Sequence, residues 1–241
     1  MKKIILLLAF ITLVAVQQAS AQSGITWSAA MDVATGSFDN NYPRMALDGN
    51  GNPLVLWGNY STSNALFSRW SGSSFTAPVA LNTASVPVYV TNWTGPDIAS
   101  KGDTVYAVFK KIPYGTNPSY VVRSFDGGMN FSSPVQVDYI SDSISWLPTI
   151  GTDAGGNPFV AYMKLDSGFI DSRWVVAKSA DFGNTFLTDV KASGYSGATE
   201  VCDCCPGTIV SSATKTAMLY RDNLSNVRDI WTGISNDNGN S

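Results

Sequence analysis

The chain contains no histidine. Every mechanism that needs an imidazole base, a histidine-oriented serine nucleophile or a histidine metal ligand is therefore excluded within it. Of the 18 acidic residues only Glu200 is a glutamate, which also excludes a site built on two glutamates. Charged residues make up just 14% of the sequence, with 15 basic against 18 acidic. Phosphate binding needs a basic stripe, so nucleic acid is not an expected partner. Cysteine is confined to three positions, Cys202, Cys204 and Cys205. What remains is apolar (44%) and rich in turn formers, with 21 glycines and 11 prolines. That mixture suits short strands joined by tight turns and excludes disorder and coiled coil.

The first residues have a destination written in them. Lys2 and Lys3 form a positive n-region, Ile4 to Val16 an apolar run, and Ala19-Ser20-Ala21 a small-residue cleavage site. This is the pattern of a secretory signal peptide over 1–21. The mature chain, 22–241, is expected in a secreted, periplasmic or cell-surface setting, where cysteines can oxidise. No later segment approaches the roughly 18–20 apolar residues of a transmembrane helix, so no membrane span is expected after signal removal.

One unit recurs four times. Each copy opens with a proline (Pro43, Pro96, Pro148, Pro206) and a short apolar strand, followed by a turn, a second strand and a third. The turn is clearest in Asp48-Gly49-Asn50-Gly51-Asn52-Pro53 and Asp153-Ala154-Gly155-Gly156-Asn157-Pro158. Second strands such as Thr104 to Phe109 and Phe159 to Tyr162 are apolar with little alternation, as strands buried on both faces must be. A fifty-residue repeat of small sheets, none able to bury its own faces, describes an all-β propeller of four-stranded antiparallel blades.

A loop follows each third strand. It reads Ser124, Asp126, Gly128, Phe131 in the second unit and Ser179, Asp181, Gly183, Phe186 in the third, with Ser235, Asp237, Gly239 beginning the fourth. The first unit is degenerate, Ser71-Gly72-Ser73-Ser74-Phe75. The shared form is SxDxGxxF. Its aspartate suits turn amides, its glycine a left-handed backbone, and its aromatic the gap between sheets. One carboxylate per loop is poor provision for calcium, so the loops read as folding devices. The motif resembles the Asp box, or BNR repeat, of sialidase-like β-propellers, and covers the chain from Tyr42 to its end. Such propellers typically have six blades. The resemblance therefore implies that four are present and that the sequence is the front part of a longer protein. Thr26 to Val33 aligns with the stretch after an Asp box and is expected to form an outermost strand; if the ring instead closes on four blades, Trp27 supplies the aromatic missing from the fourth loop.

The resemblance implies recognition, and as an activity hydrolysis, of a terminal sugar on an extracellular glycan or glycoprotein. A non-catalytic binding propeller is the alternative. Sialidases hold a carboxylate with an arginine triad, and bidentate guanidinium forks suit that task. This chain places Arg44 after its proline where the family motif has arginine before it, and no catalytic tyrosine and glutamate pair can be assigned. Arg44, Arg221 and Arg228, with Glu200, Asp203 and Asp229, are the candidate binding residues. Arg221-Asp222 and Arg228-Asp229 flank a hairpin turn, and strand-tying Arg–Asp pairs are the plainer reading of them. Trp93 and Trp146, in loops before the inner strands, are candidates to stack on a sugar. The cysteine cluster admits a disulfide or a soft-metal site for copper or zinc.

Overall fold

The computed structural model describes residues 26–113, 115, 117–138, 143–194 and 200–239. The signal peptide expected over 1–21 and the last two residues lie outside them. The chain divides into a unit over Met1–Asp32 and a second over Val33–Ser241. In the first, residues 26–32 form no strand and Trp27 is 92% exposed, so the expected outermost strand is not formed there.

Among the described residues the second unit is built of strands and turns. Sheet one joins β1 (Asn40–Leu47), β2 (Pro53–Asn59), β3 (Asn64–Arg69) and β4 (Val79–Ala80) in that order. Sheet two joins β5 (Asp97–Lys101), β6 (Thr104–Lys110), β7 (Ser119–Ser124) and β8 (Val135–Gln136). Sheet three joins β9 (Ser143–Thr152), β10 (Pro158–Asp166), β11 (Ile170–Lys178) and β12 (Val190–Lys191). Sheet four has three strands among the described residues, β13 (Thr208–Ser211), β14 (Thr216–Arg221) and β15 (Ile230–Ser235). All pairings are antiparallel. Among the described residues no helix is long and apolar enough to cross a membrane.

The second strands explain their own composition. Val105, Ala107 and Phe109 of β6 join Leu54, Leu56 and Phe67 of sheet one in one core, while Tyr106 and Val108 join Val160 and Tyr162 of sheet three in another. In β10 the sharing repeats, with Phe159, Ala161 and Met163 packed among Ile209, Met218 and Tyr220 of sheet four. Strands with both faces covered carry no polar alternation. The inner strands β1, β5, β9 and β13 lie side by side around one axis, and three small cores separate four radial sheets. This is the blade packing of a β-propeller.

The SxDxGxxF loops share one set of hydrogen bonds. Ser124 Oγ donates to Asp126 Oδ1 (2.7 Å) and accepts from Gly128 N (2.9 Å), while Asp126 accepts from the amides of Met129 and Asn130. Ser179, Asp181, Gly183 and Thr185 repeat this, and Ser235, Asp237 and Gly239 repeat its first half. Each loop glycine has positive φ and sits against a ring from the preceding sheet: Gly128 on Phe67, Gly183 on Tyr106, Gly239 on Phe159. Phe131 packs edge-on against Phe67 at 5.0 Å. These bonds hold Asp126 and Asp181 down to about 2, below the usual carboxylate range, Asn130 and Thr185 being the largest contributors.

Two inner strands depart from expectation. The proline does not open them. β1 and β9 run through Pro43 and Pro148, each with one extra residue against its partner strand. Tyr42 (φ 55°) and Leu147 (φ 52°) take the left-handed conformation at these bulges. Proline has no amide to give the ladder, and a bulge is where a strand tolerates that. Trp146 consequently lies within β9, not in a loop before it.

Candidate functional site

The residue after each repeat proline stands at the same height on the axis. Arg44, Asp97, Thr149 and Gly207 therefore meet, together with Tyr42, Thr94, Leu147 and Thr208, around a cavity of about 180 Å³. All four inner strands contribute, which only a radial arrangement allows.

Asp97 is the hub of this cavity. Its Oδ1 accepts from Ile98 N (2.9 Å) and faces Arg44 Nε of sheet one at 3.4 Å. Its Oδ2 accepts from Thr149 Oγ1 (2.6 Å) and Ile150 N (3.3 Å) of sheet three. Three blades are thus tied by one carboxylate whose oxygens are all engaged. Arg44 lies over the Tyr42 ring, 3.8 Å from ring centroid to Cζ, in cation–π contact. Burial pushes the Tyr42 phenol above its ordinary pKa, against the opposing pull of Arg44. Tyr42 is accordingly a neutral hydroxyl at neutral pH, a hydrogen-bonding group and not a phenolate. The Tyr42 bulge aims both side chains, and Gly95 lets sheet two approach, since a Cβ there would stand 3.0 Å from Tyr42 Cβ.

Beside the cavity is an aromatic ledge. Trp93 precedes the cavity residue Thr94, Trp146 precedes Leu147, and their rings lie 6.3 Å apart. Phe169, at the β10–β11 turn, meets Trp146 edge-on at 6.3 Å. Trp93 and Phe169 are 37% and 51% exposed, enough to offer surface to a ligand. By contrast Trp57 and Trp174 are buried core.

Of the other residues singled out in the sequence, Glu200, Asp203, Arg221, Arg228 and Asp229 do not line the cavity. Glu200 accepts from Asp171 N (2.8 Å) and anchors the start of β11. The hairpin after β14 forms, with Ser225 and Asn226 at positive φ and Asp222 N donating to Asp229 O. Its arginines make neither of the expected Arg–Asp ties and assemble no triad with Arg44. Asp97, Asp166, Asp171 and Asp189 form ion pairs elsewhere, whereas among the described residues neither Asp222 nor Asp229 forms one. Arg221 and Arg228 turn instead to sulfur: Arg221 Nη1 is 3.5 Å from Cys205 Sγ and Arg228 Nη1 3.6 Å from Cys202 Sγ. The three cysteines are free thiols.

Tyr42, Asp97, Thr149 and Phe169 were not among the sequence candidates. For three of them a signal exists, since Asp97 and Thr149 hold Arg44's position in the repeat and Tyr42 adjoins the proline. Phe169 has none, because its place depends on how far the β10–β11 hairpin extends.

No protein-family model and no curated protein sequence matches the chain. Solved structures do match in fold. An α-L-arabinanase from Penicillium chrysogenum aligns with a TM-score of 0.59 and 15% identity over 83% of this chain and 63% of its own. An ulvan lyase of polysaccharide lyase family PL25 gives 0.56 and 12%, over 83% and 53%. An endo-arabinase from Bacteroides thetaiotaomicron gives 0.54 and 13%, over 87% and 79%. The chain thus spans about half to four-fifths of these proteins' length, and at such identities the likeness concerns the fold: the four sheets are blades of a β-propeller.

Proposed function

We propose that this chain belongs to an extracellular carbohydrate-active propeller and binds a sugar of a glycan or polysaccharide at the axial cavity. The observation that carries the reading is the convergence of Arg44, Asp97, Thr149 and Tyr42 from three blades beside an aromatic ledge. Sugars present hydroxyl edges and apolar ring faces, and a few fixed polar groups next to exposed aromatics match both. The fold neighbours, an arabinanase, an endo-arabinase and an ulvan lyase by name, support a polysaccharide ligand.

Within this reading, binding is better supported than hydrolysis by the residues present. Most glycosidases need two carboxyl groups across the scissile bond. Among the described residues Asp97 is the single carboxylate lining the cavity, and its oxygens are committed to Arg44, Thr149 and two amides. It positions the guanidinium, whose fork suits an acidic sugar. A sialic acid is the specific case that the Asp-box resemblance implies.

The test is a panel of neutral, uronic and sialylated polysaccharides, with binding and released sugar measured on the same samples. Binding that falls at least tenfold in Arg44→Ala, without release of sugar, supports the binding reading. Release that is lost in the same variant supports the enzyme reading. Binding unaffected by Arg44→Ala and by Trp93→Ala removes the cavity from consideration.

A further inference from the structure

The segment that leads Gly207 and Thr208 to the axis starts from a second, separate constellation. Cys202-Asp203-Cys204-Cys205 folds into a turn in which Cys205 N donates to Cys202 O (3.4 Å). The turn is pinned to β14, because Cys202 N donates to Arg221 O (2.9 Å) and Val201 bridges Asp222. Gly207, just beyond, cannot carry a Cβ without meeting Met218, Leu219 O and Trp174, so the following chain is held as well. A rigid support thus fixes three sulfurs on one side of a turn. Cys202 Sγ stands 3.2 Å from both Cys204 Sγ and Cys205 Sγ, and these two are 3.8 Å apart.

We propose that this triad binds one soft d10 metal ion, copper(I), through three thiolates. A point equidistant from sulfurs at these separations lies about 2.0 Å from each. A metal–thiolate bond is ~2.3 Å, so the ion sits about 1 Å out of the sulfur plane, or within it after an outward movement of a few tenths of an ångström. Soft thiolates select copper(I) over harder cations. Charge makes the choice between copper and zinc. Three thiolates and one copper(I) leave two negative charges, and Arg221 and Arg228, both donating to the sulfurs, supply two positive ones. Zinc would leave one cation in excess. A disulfide would leave both guanidiniums facing neutral sulfur and the third cysteine unpaired. Cys202 is buried while Cys204 is exposed, which gives the ion a protected seat and a path in.

The site is tested on the full chain, reduced under anaerobic conditions and titrated with copper(I) against a chromogenic copper(I) chelator. One copper per chain is expected, with three sulfur neighbours in X-ray absorption. Cys204→Ser, an exposed and structurally mild change, is expected to lower affinity by at least ~100-fold. Arg228→Gln, which keeps every ligand, is expected to lower it by about tenfold, as outer partners of metal ligands do. Three results overturn the proposal: no copper uptake by the reduced chain, wild-type affinity in Cys204→Ser, or zinc retained at this site against a copper(I) challenge. Glycan binding plays no part in this measurement, so its outcome is independent of the axial cavity's ligand.

Discussion

At the scale of single residues, Asp126 and Asp181 show how one side chain can serve the fold through its charge. Each carboxylate is fixed by side-chain and backbone donors of its own loop, and each is held down to about 2. Hydrogen bonding to the ionised form is what lowers a carboxyl in this way. Both titrate lower in the folded chain than in the unfolded one, so the folded state binds fewer protons over that interval. The stability they contribute is complete above the ordinary value near 4 and is lost as pH falls through about 2. Denaturant unfolding at a series of pH values between 5 and 2 is expected to show this loss, and the double variant Asp126→Asn, Asp181→Asn a flatter curve over the same range. Equal slopes in the two proteins would mean that the loops do not hold these protons off. The bonds within these loops run between residues two to four apart, so the spacing of their serine, aspartate and glycine could be read along the sequence. The role of Asp97 could not, since its partners Arg44 and Thr149 are more than fifty positions away on either side, and only superposing the repeats brings them together.

At the scale of elements, the inner strands carry the site and the second strands carry the core. The second strands were readable because burial on two faces leaves an apolar run. The bulges at Tyr42-Pro43 and Leu147-Pro148 were not, since a left-handed residue before proline is a conformation imposed by packing across the axis. Gly207 shows how close that packing is: a Cβ would stand 2.3 Å from Met218 Cε and 2.9 Å from Leu219 O, the second being backbone that cannot swing away. Gly207→Ala is therefore expected to destabilise by about 2–3 kcal/mol, within the range of overpacked cores, and to lower the melting temperature by about 5–10 °C. Gly51→Ala provides a contrast, because Gly51 has open space around it and positive φ (78°), so its cost is conformational alone. A melting temperature unchanged in Gly207→Ala would show that β13 and β14 are not packed as described.

At the scale of the molecule, the radial arrangement leaves its signature in what is exposed. In sheet four, Met218 and Tyr220 of β14 face sheet three and are buried. The opposite face carries Val210, Leu219, Ile230 and Ile234, which are 62%, 45%, 67% and 56% exposed. Register confirms that these share one surface, with Val210 beside Ala217 and Ala217 beside Ile234 across the ladder. Sheet one likewise exposes Met45 and Leu47 of β1. Among the described residues sheets two and three show no comparable face, because a neighbouring sheet covers each side. Contiguous apolar surface of this kind drives association in water. The 22–241 chain studied by itself is therefore expected to bind a hydrophobic dye and to self-associate as concentration rises. Replacing Leu219 and Ile234 by threonine, a β-branched residue suited to strands, removes apolar surface, and is expected to reduce both signals with little change in melting temperature, as exposed substitutions do. Sedimentation velocity across a concentration series reads the self-association. A monomer at every concentration, without dye binding, would show that this face is covered in solution, contrary to the four-sheet arc seen in the structure.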